Sequence, residues 1–428
     1  MTDTHTPIPS ERSAVSFELP LGAGTVEVSL PDCDVTIGTP PGGEPVEDVR
    51  EAAERALDSP LGPALEYRVT PDADVAIVVT DVTRATPDGV LLDAMLDRLR
   101  AAGVDREQVT VVLGLGLHRP MDDDEIESAL GEHADLAVNH DPDAAIPVAG
   151  KVDGVPVEVH PAVANADVVL STGMVEPHQY AGFSGGAKTV VVGAGGEPMI
   201  RYTHGPDLLG QDGVRLGRVD GNPFREAIDR AGELAGPDFC VNVTHGPQGI
   251  LDVAAGNPRA VVRDLAASAR AALSVELSET YDAVVAGVGA PKDANLYQTT
   301  RAATYVALGD YDPLRSDGRV VIPADLPEGV GQGTGEQRFY QWVSNAKTAQ
   351  SLYEAMSKGY EPGAQRAFVL ARVLREYDVY VTNSQHPEIV EECLMHARES
   401  VENAVEPGSD VLVVPDALNT LLVSSSNR

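Results

Sequence analysis

One stretch, Thr172-Gly-Met-Val-Glu-Pro-His178-Gln-Tyr180-Ala-Gly182-Phe-Ser184-Gly185-Gly186-Ala-Lys188-Thr189, carries several side chains able to do chemistry. A histidine and a lysine bracket a run of small residues that includes Gly182, Ser184, Gly185 and Gly186. Glycines let backbone N–H groups approach an anion, and a lysine closing such a loop supplies a charge or a nucleophilic amine. A phosphate-bearing cofactor fits that combination; so does a plain structural turn. The interval from Gly182 to Lys188-Thr189 has the length of a GxxxxGK[ST] phosphate loop. However, Ala187 replaces the second glycine, and Val190–Val192 reads as a strand where a helix is required, which argues against a nucleotide triphosphatase.

Two more histidines stand beside glycine or proline in expected loops: His118 in Gly114-Leu-Gly-Leu-His-Arg-Pro, and His204 in Arg201-Tyr-Thr-His-Gly-Pro. Imidazole serves as a metal ligand or as a proton shuttle near neutral pH. No cysteine-rich or HExxH zinc pattern accompanies them. With His178 they suggest one shared site, whereas His5, His133, His140, His160, His245, His386 and His396 read as ordinary structural or surface histidines. In Asp81-Val-Thr-Arg84-Ala-Thr86-Pro87, Thr86 is expected as a helix N-cap with Pro87 at the first helical position. Arg84 would then stand at a helix N-terminus suited to phosphate or carboxylate, although a plain capped turn reads the same way. Farther on, in Gly289-Ala-Pro-Lys292-Asp-Ala-Asn295-Leu-Tyr297-Gln298-Thr-Thr-Arg301, a helix starting within the segment would carry Gln298 and Arg301 three residues apart, either both facing one carboxylate or forming a solvated face.

The elements that must position these residues alternate short apolar runs with helix-period segments, predicting an α/β fold of two domains with mostly parallel sheets. Expected strands are Val75–Thr80, Val109–Leu113, Ala166–Leu170, Val190–Val192, Ala283–Val288, Val320–Ile322, Val379–Thr382 and Val411–Val414, with a helix over Val262–Leu273. Ligands of such sheets bind beyond the carboxyl ends of the strands. A domain boundary is expected near residue 277. Residues 1–277, completed by 408–428, would form a cofactor-binding domain and 278–407 a substrate or closure domain, with the active site in the cleft between them. The Gly- and Glu-rich segment Pro327–Gln337 reads as a mobile loop.

With 428 residues, 43% of them apolar, the chain can bury two cores. A net charge of −35 repels nucleic acid and anionic membranes. Lysine is confined to Lys151, Lys188, Lys292, Lys347 and Lys358, and the acids are scattered along the whole chain, as in a solvated surface adapted to very high salt. That scarcity makes Lys188 harder to dismiss as a solubilising residue. Cys33, Cys240 and Cys393 lie far apart, with no CxxC spacing, and read as small core residues. No long apolar run or signal-peptide pattern appears, so a cytoplasmic protein is expected.

Taken together in chain order, these segments resemble the lactate racemase family, from about Glu18 to Val423 and most specifically over Met174–Gly196. The resemblance implies a nickel-pincer nucleotide, a pyridinium-3,5-bisthiocarboxylic acid mononucleotide that grips nickel through two sulfurs and a ring carbon. A thioamide joins it to a lysine matched by Lys188. His204 matches the histidine ligand of nickel, and His118 and His178 match the two histidines acting as acid and base. Asp81 and Arg84 match a DxTR element which, with Thr86 and the loop residues Gly182, Ser184, Gly185 and Gly186, falls to cofactor binding. Gln298 matches a substrate-contacting glutamine, joined by Arg84, Tyr180 and Arg301.

The implied activity is inversion of C2 in a 2-hydroxy acid by hydride transfer to and from the cofactor, which separate synthesis enzymes supply. Two departures bear on the substrate. Arg301 stands where the lactate enzymes have a lysine, and Glu361-Pro-Gly-Ala-Gln-Arg-Ala-Phe replaces a tryptophan-bearing segment. Malate or a sugar acid such as gluconate is therefore an alternative to lactate. A dinucleotide-dependent dehydrogenase is disfavoured because Gly114-Leu-Gly-Leu-His lacks the GxGxxG ending. A cofactor carrier without turnover would leave His118 and His178 idle.

Overall fold

In a computed structural model that describes residues 16–361 and 363–425, the chain divides into two compact units. One comprises Pro40–Val275 with Leu308–Asp310; the other gathers, of the described residues, 16–39, Glu276–Ala307 and those from Tyr311 to Ser425. His5 lies outside the described residues.

The first unit is built on strands β1 (Val75–Val79), β2 (Val109–Leu113), β3 (Ala137–Asn139), β4 (Val168–Met174), β5 (Phe239–Gly246) and β6 (Gly249–Gly256). They lie in the order β6-β5-β4-β1-β2-β3, parallel except for the β5–β6 hairpin. Every residue of β1 and β4 is buried, the signature of parallel strands covered on both faces. Helices α1 (Asp88–Ala101), α2 (Pro223–Ala235) and α3 (Pro258–Leu273) belong to this unit. From α1, Leu91, Leu92, Met95 and Leu99 join Ile77, Val111 and Leu170 in its main core.

In the second unit, Tyr281–Ala286 lies between Leu314–Pro323 and Asp410–Val414; Asp378–Thr382 and His396–Arg398 extend one side and Asp34–Ile37 the other, all parallel. Residues 16–39 and 408–425, expected above in the cofactor-binding domain, group with this second unit. The run Val411–Val414 specifies a strand buried on both faces, but its pattern is silent about which strand it pairs with. Cys240 and Cys393 are buried, while Cys33 is only half-buried. Residues 334–337 of the expected mobile loop open the helix Thr334–Ser344. No helix among the described residues is long and apolar enough to cross a membrane.

Val190–Val192 is not a strand. Thr189–Gly193 forms one π-helical turn, with Val190 and Val191 buried. Three valines favour a strand by propensity, but tertiary packing of this short segment prevails, as it does in many π-turns beside functional sites. The absence of a helix was one of two grounds for setting aside a phosphate loop; the other, Ala187 in place of glycine, stands.

Candidate active site

The predicted residues of the first unit collect in the loops that leave the carboxyl ends of β4, β1 and β2, three neighbouring strands. After β1, the buried Asp81 accepts the N–H and hydroxyl of Thr83 at 3.0 and 2.5 Å, closing a tight turn. Its other oxygen takes the Nδ1–H of His118 at 2.5 Å. Burial works to raise the Asp81 pKa, but the hydrogen bonds from His118 and Thr83 outweigh it and hold the carboxylate below its ordinary value. With its proton on Nδ1, His118 offers a lone pair at Nε2, on a side chain that is 59% exposed.

Arg84 forms an ion pair with Glu176, from the loop after β4. Thr86 is not the helix cap. Pro87 occupies that position with non-helical angles and no side-chain cap. The first helical residue is Asp88, whose carboxylate accepts from Thr80 at 2.5 Å and from Thr172. Burial pushes the Asp88 carboxyl up to about 6. The Thr86 hydroxyl is buried without a hydrogen-bond partner among the described residues.

The loop after β4 is packed instead of open. His178 Nδ1 accepts the backbone N–H groups of Tyr180 and Ala181 at 3.3 and 3.1 Å, which leaves the ring proton on Nε2. Its ring lies 5.6 Å from that of the buried Tyr180 and 6.1 Å from Phe224, and His204 lies 5.1 Å from Phe224. Burial, then the charges of Lys188 and Arg84, hold the His178 pKa well below the ordinary histidine value. His204 ends a short helix, Glu197–Thr203, and its Nδ1–H donates to the Ile200 carbonyl at 3.1 Å, which puts its lone pair on Nε2. Burial and Lys188 bring its pKa down to about 4. Lys188 is half-buried; burial and then the guanidinium groups of Arg84 and Arg225 lower its amine to about 7.

Gly182, Gly185 and Gly186 all have positive φ, but what surrounds them is protein. A Cβ on Gly182 would sit 1.8 Å from the Arg218 carbonyl oxygen, one on Gly185 2.7 Å from Val175, and one on Gly186 2.7 Å from Val262. The N–H groups of Ser184, Gly186 and Lys188 donate to Glu176 O, Asn242 Oδ1 and Gly185 O. The glycines therefore serve the packing of the loop, and these N–H groups are already engaged.

Within the other unit, Asn295 caps the turn Leu296–Thr299 by accepting the Gln298 N–H at 3.1 Å. Gln298 Oε1 is buried without a hydrogen-bond partner among the described residues. Arg301 opens the helix Arg301–Ala307 and donates to the Tyr305 hydroxyl at 3.1 Å. In the segment that departs from the family pattern, Arg366 is buried with its guanidinium 4.5 Å from the centre of the Tyr297 ring.

Residues 21–217 match the family model of the lactate racemase N-terminal domain, and residues 276–422 match that of the lactate racemase C-terminal domain. The chain belongs to the lactate racemase family. It is 25% identical over 437 residues to a lactate racemase of Thermoanaerobacterium thermosaccharolyticum, covering 95% of this chain and 99% of the relative. A lactate racemase of Lactiplantibacillus plantarum is 23% identical over 393 residues, with coverage of 87% and 91%. The lactate racemase apoprotein structure from T. thermosaccharolyticum shares the fold, with a TM-score of 0.82 at 22% identity over 96% of this chain and all of that one. A Thermotoga maritima protein is more distant, with a TM-score of 0.61 at 16% identity over 90% of this chain and all of that one.

Among the residues that surround the lactate racemase motifs, sequence reasoning missed Glu176, Phe224, Arg225 and Asn242. Glu176 lies inside the quoted stretch, but Arg84 is 92 residues away in sequence and nothing local pairs the two. The others come from α2 and β5, and nothing local marks them. Among the described residues, the one group of three metal-ligand side chains is Asp93, Glu132 and His133. There Asp93 is already paired with Arg50, and His133 lies 3.2 Å from an Arg106 nitrogen. His204 belongs to no such group among the described residues.

Proposed function

We propose that this member of the lactate racemase family is a 2-hydroxy acid racemase or epimerase working with a nickel-pincer nucleotide tethered to Lys188. The observation that carries the reading is the complementary state of two histidines at one end of one sheet: His118 has its lone pair at Nε2, and His178 its proton there. Inversion at a hydroxyl-bearing carbon needs one group to take the hydroxyl proton and another to return a proton to the oxygen.

The residues present fit the cofactor. The Lys188 amine, with a pKa of about 7, is substantially neutral at physiological pH and able to form a covalent bond. His204 would ligate the metal through Nε2, and the buried Thr86 hydroxyl and Arg84 would contact the phosphate. When bound, the cofactor supplies an acceptor for the C2 hydrogen with its electron pair. Around it, His118 Nε2 takes the hydroxyl proton, and His178, whose neutral Nε2–H donates a hydrogen bond to the same oxygen, is the proposed acid. It must first take a proton at Nδ1 in place of its amide hydrogen bonds, so that delivery from Nε2 leaves a neutral ring, and in the reverse direction the two exchange roles. Arg84, Tyr180, Gln298 and Arg301 are the proposed substrate contacts, and separate synthesis enzymes are the proposed source of the cofactor. Because arginine presents a wider fork than lysine, Arg301 favours a substrate with more oxygen than lactate, such as malate or gluconate.

Protein made in a host that builds the cofactor should carry about one nickel per chain and a covalent adduct of a few hundred daltons on Lys188. It should also interconvert the C2 epimers of at least one acid among lactate, malate and gluconate. Intact mass, nickel analysis and a stereospecific assay check this; an unmodified Lys188 in fully active enzyme would rule out the tether.

A further inference from the structure

We propose that Arg225 is a positioning residue for Lys188: it holds the carbonyl groups of the preceding loop, and attachment of the cofactor depends on it. The inference rests on the reading of Lys188 as the tethering residue. Arg225 stands in the first turn of α2 and is 2% exposed, among the largest fully buried side chains. Burying a guanidinium costs several kcal/mol unless charge and hydrogen bonds answer it. Its ion-pair partner is Asp229, one turn along the helix at 3.4 Å, and Asp229 is shared with Arg259 at 3.6 Å.

Both Nη atoms of Arg225 face the loop, while its Nε is buried without a hydrogen-bond partner among the described residues. Nη2 donates to the carbonyls of Phe183 and Ser184, and Nη1 donates to that of Gly185 at 3.2 Å. Neither a regular helix nor a regular strand turns three successive carbonyls toward one point. The chain achieves it here with left-handed backbone at Gly185 and Gly186, φ +78° and +60°. The Gly185 carbonyl also accepts the N–H of Lys188, so one oxygen links Arg225 to the backbone of the lysine. The same end of α2 grips the loop earlier: Asn222, its N-cap, donates to Tyr180 O at 2.9 Å and Arg218 O at 3.0 Å. From the other side, Asn242 accepts the Gly186 N–H at 2.8 Å. Were Arg225 needed only to fill space, an apolar residue of similar volume would serve the fold as well or better.

The experiment uses the full chain with Arg225→Met and Arg225→Lys. Amide hydrogen exchange is followed over residues 180–189 in unloaded protein, and Lys188 adduct is measured by intact mass after production in a cofactor-building host. In Arg225→Met, exchange over 180–189 should rise by about ten-fold or more while β1 and β2 keep wild-type protection, and adduct per folded chain should fall by a similar factor. Arg225→Lys should fall between, since one ammonium cannot span three carbonyls. Wild-type exchange over 180–189, or wild-type adduct, in Arg225→Met overturns the proposal, as does a loss of protection spread evenly over the unit. If Arg225→Met does not fold, Arg225→Lys decides by the same local-against-global criterion. If the wild-type chain itself gains no adduct, the tether reading fails, and the exchange comparison alone judges whether Arg225 sets the loop.

Discussion

The loop after β2 and the loop after β4 each bring a histidine to the same end of the sheet, by opposite means. His118 stands on an exposed loop, and its ring is set by a single carboxylate, Asp81. His178 sits in a packed loop, and its ring is set by two backbone amides. Both rings are held through Nδ1, yet one partner accepts and the other donates, so the two Nε2 atoms carry opposite equipment. Whatever meets the far nitrogen selects the tautomer of the neutral ring, so the carboxylate leaves His118 Nε2 able to accept and the pair of amides leaves His178 Nε2 able to donate a hydrogen bond.

The strongest attempt to break this contrast removes each ring. His118→Ala and His178→Ala should each leave nickel and Lys188 adduct in place while turnover per bound nickel falls roughly 10²–10⁴-fold from either enantiomer. Full turnover per nickel in either variant means that histidine handles no proton and the two-histidine scheme is wrong.

A smaller effect sharpens the asymmetry. Asp81→Asn replaces the acceptor that fixes His118 with a group that can also donate, so the ring loses its enforced tautomer. Orienting partners of this kind are typically worth about 10–100-fold, and a loss of that size in turnover per bound nickel is expected. Since His178 is held by main chain, no single side-chain exchange should reproduce that loss on its side. Wild-type kcat in Asp81→Asn would leave the contrast without catalytic meaning.

The smallest effect is on stability. His178 and His204 have folded pKa values below the ordinary value near 6.5, to about 4 for His204. Between those values the unfolded chain binds more protons than the folded one, so this contribution to stability is intact above about pH 6.5 and declines as pH falls toward the folded pKa. In unloaded protein, His204→Gln should therefore lose less Tm than wild type between pH 7.5 and 5, by a few degrees on the scale of about 2–4 °C per kcal/mol for large domains. Parallel slopes in the two proteins would mean His204 is not held neutral by its burial.

Much of the first unit was legible because parallel strands buried on both faces spell themselves as valine runs, as in Val75–Val79 and Val109–Leu113. His118, His178, Lys188 and His204 were findable because reactive side chains next to glycine or proline stand out from an acidic background. What stayed hidden was decided by partners distant in sequence. Three valines after Lys188 have strand propensity, and only their packing turns them into a π-turn. Thr86-Pro87 has the composition of a cap, while the proline itself takes the cap position. Arg225 carries no local signal, because nothing near it in sequence records that its helix end lies against the carbonyls of Tyr180, Phe183, Ser184 and Gly185. The glycines of the loop suggested a cradle for an anion; their neighbours are Arg218, Val175 and Val262.

The pairing of Asp410–Val414 with both Tyr281–Ala286 and Asp34–Ile37 also orders events in time. As the chain emerges from the ribosome, the unit holding Lys188 has nearly all of its sequence by Val275, lacking only Leu308–Asp310. The other unit must wait until residue 414 before its sheet can close around Tyr281–Ala286, with Asp34–Ile37 synthesised first and recruited last. Pairings of such long range are slow to form, so translation leaves the first unit complete while an apolar strand of the second still lacks a neighbour.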